Sequence, residues 1–381
     1  MKTNLKKLLY SGVTLMSLGV LAACSSTSSS TTSSSVTTSQ SSTTSNNSTS
    51  SDSSSSSIDW SALPTTEVTL SNDGLKITEG GTYILTGSTT AGVTVETDAN
   101  VRIILAGAEI SSSDTAAINV ISADNVELEI QDGTSNTVKD TSSHSDTNIE
   151  GAIHVEADLT ITGNGNLTVE GNFQDGIVSK DDLIIDSGNI TVTAVDDGIR
   201  GKDSTTINGG TITVTAGGDG IKSSNDTDAT KGYTTITGGE ITVKAGDDGI
   251  KAETALTIDG GTITVSESLE ALEGTNITIN GGTLDVYGSD DAINAASTTS
   301  SDIFIKVTGG DLKVAVGSGD TDAFDANGDI YISGGTIAVT AQSAFDFDGT
   351  VEFTGGTVTV NGEQITQITA TGPGAGGHGG W

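Results

Sequence analysis

The residues best placed to do chemistry in this chain are acidic, and they recur. Asp175, Asp197, Asp219 and Asp248 each open the phrase Asp-Gly-Ile, Asp291 opens a related one, and Glu270 heads a decayed copy, Glu270-Ala-Leu-Glu. Asp196, Asp247 and Asp290 immediately precede three of these anchors. From Asp175 to Glu270 the steps are 22, 22, 29 and 22 residues. If the chain winds once per step, the carboxylates stack roughly 4.8 Å apart. Neighbouring charges then repel by about 0.9 kcal/mol in bulk water, or roughly 3.5 kcal/mol at an effective dielectric of 20. Calcium relieves such a column, because it accepts about six to eight oxygen ligands in flexible geometry. Asp175, Asp196, Asp197, Asp219, Asp247, Asp248, Asp290 and Asp291 are therefore candidate Ca²⁺ ligands. The plainer use is a turn, which Asp-Gly forms readily, with water and salt screening the charges. Zinc and iron fit poorly, since the three His (144, 154 and 378) are scattered and Cys24 is the only thiol.

A basic residue follows the Ile in three copies: Arg200, Lys222 and Lys251, with Lys202 two positions beyond the first. Beside calcium-bound carboxylates such a residue could abstract the proton next to a sugar carboxylate, the chemistry of a polysaccharide lyase. As counter-charges the same residues would form a salt-bridge ladder instead. A third candidate surface is a row of outward Thr, among them Thr191, Thr213, Thr242 and Thr264, although outward Thr is also simply a good strand former. Tyr233, Tyr287 and Tyr331 are the aromatic side chains that could stack on sugars. No nucleophile elbow, phosphate loop or Ser-His-Asp arrangement is present.

These residues need a repetitive scaffold. Between the Asp phrases lies a second one, apolar-x-Ile-x-Gly-Gly-x-Ile-x-Val, as in Thr205 to Val214. Its period-two alternation indicates strands, and a fixed period in this range indicates a solenoid. The expected fold class is all-β, a parallel β-helix with about 22 residues per coil. Alternation assigns three inward ladders. The first is Leu183, Thr205, Thr234, Leu256, Ile277, Ile305, Ile330 and Val351. The second is Ile185, Ile207, Ile236, Ile258, Ile279, Val307, Ile332 and Phe353. The third is Ile177, Ile199, Ile221, Ile250, Leu272, Ile293, Phe324 and Phe345. The Gly-Gly pairs from 209/210 to 355/356 are expected at one corner that requires positive φ.

Composition agrees. The 381 residues include 50 Gly, 2 Pro and 3% aromatics, too few for a globular core but enough for stacked aliphatic ladders. The formal charge of −35 excludes a basic nucleic-acid face. Residues 1–23 read as an export signal, with Lys2, Lys6 and Lys7 before an apolar run. Its end, Leu21-Ala22-Ala23-Cys24, resembles the lipobox of bacterial lipoproteins, which implies lipid attachment at Cys24. Residues 24–57 form a Ser/Thr-rich tether. Irregular first coils are expected over 58–150, regular coils over 151–361, and a disordered Gly-rich tail over 362–381. Insertions at 223–232 and 295–302 should project from the same side.

Taken together, Ile77-Thr-Glu-Gly-Gly-Thr-Tyr-Ile-Leu-Thr-Gly, Gly163-Asn-Gly-Asn-Leu-Thr-Val and the Asp-Gly-Ile-Lys/Gly-Gly-x-Ile series resemble the secreted bacterial carbohydrate-binding domain family, over residues 66–360. The resemblance implies a pectate-lyase-like, right-handed parallel β-helix that binds plant-type or acidic polysaccharides, with calcium on the acidic coil edges. It supplies no catalytic residue. The expected protein is a monomeric lipoprotein on the outer face of the bacterial cell membrane. It would bind an acidic or cellulose-like glycan without catalysis. The alternatives are a calcium-dependent lyase and a structural adhesin or spacer.

Overall fold

The computed structural model describes residues 58–319 and 321–371. The export signal, Cys24, the tether and the tail from residue 372 lie outside the described residues. Apart from one 3₁₀ turn at Trp60–Ala62, the described elements are strands. All of them pair in parallel except the last, Glu363–Ile365, which runs antiparallel to Thr357–Val360. A regular coil carries three strands. Asp175–Ser179, Asp182–Ile185 and Asn189–Ala194 pair with Ile199–Gly201, Ser204–Ile207 and Thr211–Ala216 of the coil above. This is a parallel, β-helix-like solenoid.

The inward ladders pair as the alternation predicts. Ile177, Ile199, Ile221, Ile250, Leu272, Ile293, Phe324 and Phe345 are consecutive register partners. The rows through Leu183 and Ile185 do the same. Most of these side chains are fully buried, and each buried aliphatic contributes about 1.5–3 kcal/mol. Thr205 and Thr234 are tolerated inside because their hydroxyls donate to the Lys222 and Lys251 carbonyls at 2.6 and 2.8 Å. The third row ends on two stacked rings, Phe324 and Phe345, with centroids 5.1 Å apart.

The Gly-Gly corner has two causes. Gly210 takes φ +93°, whereas Gly209 is held to glycine by crowding: a Cβ there would lie 2.8 Å from the Asp186 carbonyl oxygen of the coil below.

Both ends depart from the repeat. The step from Ile118 to its partner Ile153 contains the excursion 141–149, and His144 docks that excursion by stacking on Phe173 at 4.4 Å. At the other end, ordered chain continues past the boundary expected at 361. Asn361 and Gly362 both adopt positive φ, the chain reverses into Glu363–Ile365, Ile368 is buried, and the Thr371 amide donates to the Phe345 carbonyl at 2.8 Å.

Candidate functional site: the acidic edge

The Asp-Gly-Ile phrase places its carboxylates through close backbone approach. A Cβ on Gly198 would lie 2.3 Å from Val214 Cγ1 and 2.5 Å from the Gly220 carbonyl oxygen, so only glycine lets consecutive coils come this near. The amide of each Asp then reaches the carboxylate one coil earlier. Asp197 N donates to Asp175 Oδ1 at 3.1 Å, Asp219 N to Asp197 Oδ1 at 2.9 Å, and Asp248 N to Asp219 Oδ1 at 3.0 Å. Further along, Asp322 N donates to Asp291 Oδ1 at 2.7 Å. Asp175, Asp219 and Asp248 are each only 2% exposed.

The second carboxylate oxygen meets the basic row, in which Arg200, Lys222 and Lys251 are register partners. Arg200 reaches Asp175 at 2.5 Å and also Glu150. Lys222 bridges Asp219 at 2.7 Å and Asp197 at 3.1 Å. Lys251 holds Asp248 at 2.7 Å and also pairs with Glu273. Burial pushes Asp175 up to about 6 although Arg200 opposes the shift. Against the cost of burial, Asp219 and Asp197 raise Lys222, and Asp248 and Glu273 raise Lys251, so both ammonium groups are held more firmly charged than usual. Lys202 lies beyond the strand and is exposed.

After Lys251 the same row continues as Glu273, Asn294, Asp325 and Asp346. Burial, with the neighbouring carboxylates adding to it, pushes Glu270 and Glu273 up to about 8, Asp291 to about 6 and Asp325 to about 7. Against its own burial, Asp248 is held down to about 2 by hydrogen bonds with Glu273, Glu270 and Lys251.

The eight Asp singled out in the sequence thus take different positions. Asp175, Asp197, Asp219 and Asp248 form the buried inner column, Asp291 is half-buried further along it, and Asp196, Asp247 and Asp290 are exposed beside it. Among the described residues, Asp219, Asp247 and Asp248 bring one carboxylate oxygen each within 4.8 Å of one another. Sequence reasoning missed Glu150 as the second partner of Arg200, and Glu273 and Asp325 as members of the basic row. Extending the Arg200-Lys222-Lys251 position onto every later coil would have found the last two.

The model of the carbohydrate-binding domain-containing protein family matches residues 71–323, and the chain belongs to that family. A carbohydrate-binding domain-containing protein of Acetivibrio thermocellus is 35% identical over 135 residues, covering 33% of this chain and 47% of the relative. The alignment thus spans about half the length of that curated relative. A solved structure, the polysaccharide lyase-like protein from C. thermocellum as a gadolinium derivative, is 33% identical with a TM-score of 0.53, covering 57% of this chain and 95% of that one.

Proposed function

We propose that this protein is a lipid-anchored cell-surface protein whose right-handed parallel β-helix binds polysaccharide without catalysis, assisted by Ca²⁺ on its acidic edge. The observation that carries the reading is the carbohydrate-binding family match across 71–323, which covers the acidic column and the ladders as far as Val307. The Leu21-Ala22-Ala23-Cys24 sequence supports the anchor at Cys24.

Calcium fits the edge at one step and not along its whole length. At Asp175 and Asp197 the cationic place is taken by Arg200 and Lys222. Asp219 and Asp248 also carry cations, Lys222 and Lys251 at 2.7 Å each, but with the exposed Asp247 they bring three carboxylate oxygens within 4.8 Å of one another, a hard-oxygen set suited to calcium in which the ion would compete with the two lysines. Bound there, the ion would neutralise the edge and could bridge to sugar carboxylates.

The lyase reading is favoured by the name of that structural relative. The state of the bases weighs against it. Lys222 and Lys251 each contact two carboxylates and have raised proton affinity, the reverse of what a proton-abstracting base requires. Isothermal titration with polygalacturonate and with an uncharged glucan, with calcium or with EDTA, tests binding; no heat in any arm sinks the proposal. Ultraviolet absorbance of unsaturated product, if it rises in wild type and not in Lys222→Ala, would establish the lyase.

A further inference from the structure

A groove opens on the side of the rod where two coils carry extra residues. Register steps lengthen from Ile221 to Ile250 and from Ile293 to Phe324, and segments 224–232 and 296–302 both leave the rod just after the Lys222–Asn294 row. The two coils between them carry no such segment. Their strands, Ile250–Ile258 and Leu272–Ile279, run straight through the corner at which the flanking coils bulge outward. Two plain coils between two long ones make a floor with walls, the wall coils lying three inter-strand spacings, ~14 Å, apart. The half-open groove measures about 1060 Å³, just above the usual range of ligand-site volumes.

The walls are fixed by their own hydrogen bonds. Asn225, 6% exposed, accepts from Thr227 N and Asp228 N at 3.2 and 3.0 Å and donates its amide to Asp203 at 2.7 Å. Ser297 Oγ accepts from Thr299 N and Ser300 N at 3.2 and 3.0 Å. A ligand entering therefore orders little chain, which favours affinity.

The lining selects the ligand. Asp226, Asp228 and Glu253 line the groove with one cation, Lys251, which is already paired with Asp248 and Glu273. A uronate would meet like charge here, whereas sugar hydroxyls are donors that carboxylates accept. Tyr233, 38% exposed, adds an aromatic face at the wall, and such a face packs against the apolar side of a sugar ring. We propose that this groove seats a single uncharged polysaccharide chain, its hydroxyls donating to the carboxylates and one ring lying on Tyr233. The proposal rests on the carbohydrate-binding reading and names its seat and ligand class.

Affinity electrophoresis in EDTA against hydroxyethylcellulose, xylan and mannan, with a parallel gel of polygalacturonate plus calcium, tests it on wild type, Tyr233→Ala and Glu253→Gln. Glu109→Gln, exposed on an early coil far from the groove in sequence, serves as a charge-matched control. Wild type and the control should be retarded by at least one uncharged polysaccharide. Either groove substitution should weaken that retardation about tenfold without lowering the melting temperature. Retardation of both groove variants equal to wild type, or retardation of wild type by polygalacturonate alone, overturns the groove and leaves the carbohydrate-binding reading standing. No retardation on any gel overturns both.

Discussion

Between Asp175 and Lys251 the acidic edge carries a cation beside each buried carboxylate; from Glu270 to Asp346 the basic row continues as Glu273, Asn294, Asp325 and Asp346 and the Asp row as Glu270, Asp291 and Asp322, with no basic residue in either. Backbone and register scarcely change from one stretch to the other, yet the electrostatics reverse. The first stretch is a closed ion-pair ladder, in which burial still raises Asp175 and Asp219 against the pull of their cations. In the second, like charges crowd one another and the carboxyl groups hold protons toward neutral pH. A repeat therefore fixes where a side chain stands, while its partners on the neighbouring coils decide its charge state.

The largest effect should come from breaking the closed stretch. Lys222→Ala would leave Asp219, its side chain 3% exposed, without its cation and Asp197 with only Arg200 at 3.8 Å, and should cost about 3 kcal/mol in urea unfolding. A loss below about 1 kcal/mol would mean that the ladder is as weak as a surface pair. Asp325→Asn in the open stretch should do the opposite and leave stability equal or higher, because it removes a charge that its neighbours oppose.

Acidity should separate the stretches further. The folded pKa values of Asp291, Asp325, Glu270 and Glu273 (about 6, 7, 8 and 8) lie above the values of about 4 expected in the unfolded chain. The stability these groups provide is complete below about pH 4 and is lost as pH rises through 6 to 8. The melting temperature should accordingly fall by several degrees between about pH 5.5 and pH 8.5, and by less in Asp325→Asn. A flat profile would erase the contrast. The smallest effect belongs outside both stretches. Lys313 and Asp285, 3.5 Å apart with side chains 71% and 61% exposed, should yield under about 0.5 kcal/mol on Lys313→Ala.

The solenoid and its three ladders were legible because period-two alternation and the Asp-Gly-Ile phrase report register directly: every partner from Ile177 to Phe345 could be assigned by matching phrases. Charge state was less legible. The pairing of Glu150 with Arg200 joins residues 50 apart in the chain, through an acid that belongs to no repeated phrase. The donation of Asp197 N to Asp175 Oδ1 depends on how closely the coils approach, which the spacing of letters does not state. The positions of 223–232 and 295–302 could be read from the stretched steps, but the groove between them depends on the two coils that carry nothing extra.

The reversal at Asn361 and Gly362 has a consequence for the rod as a material. A stack of parallel strands presents a free rim of amides and carbonyls, on which another chain could lay down its own strands. Here the rim meets a three-residue strand of opposite direction that begins with Glu363. A short, charged, mismatched lip is a poor template, so this terminus works as a stopper against fibre growth.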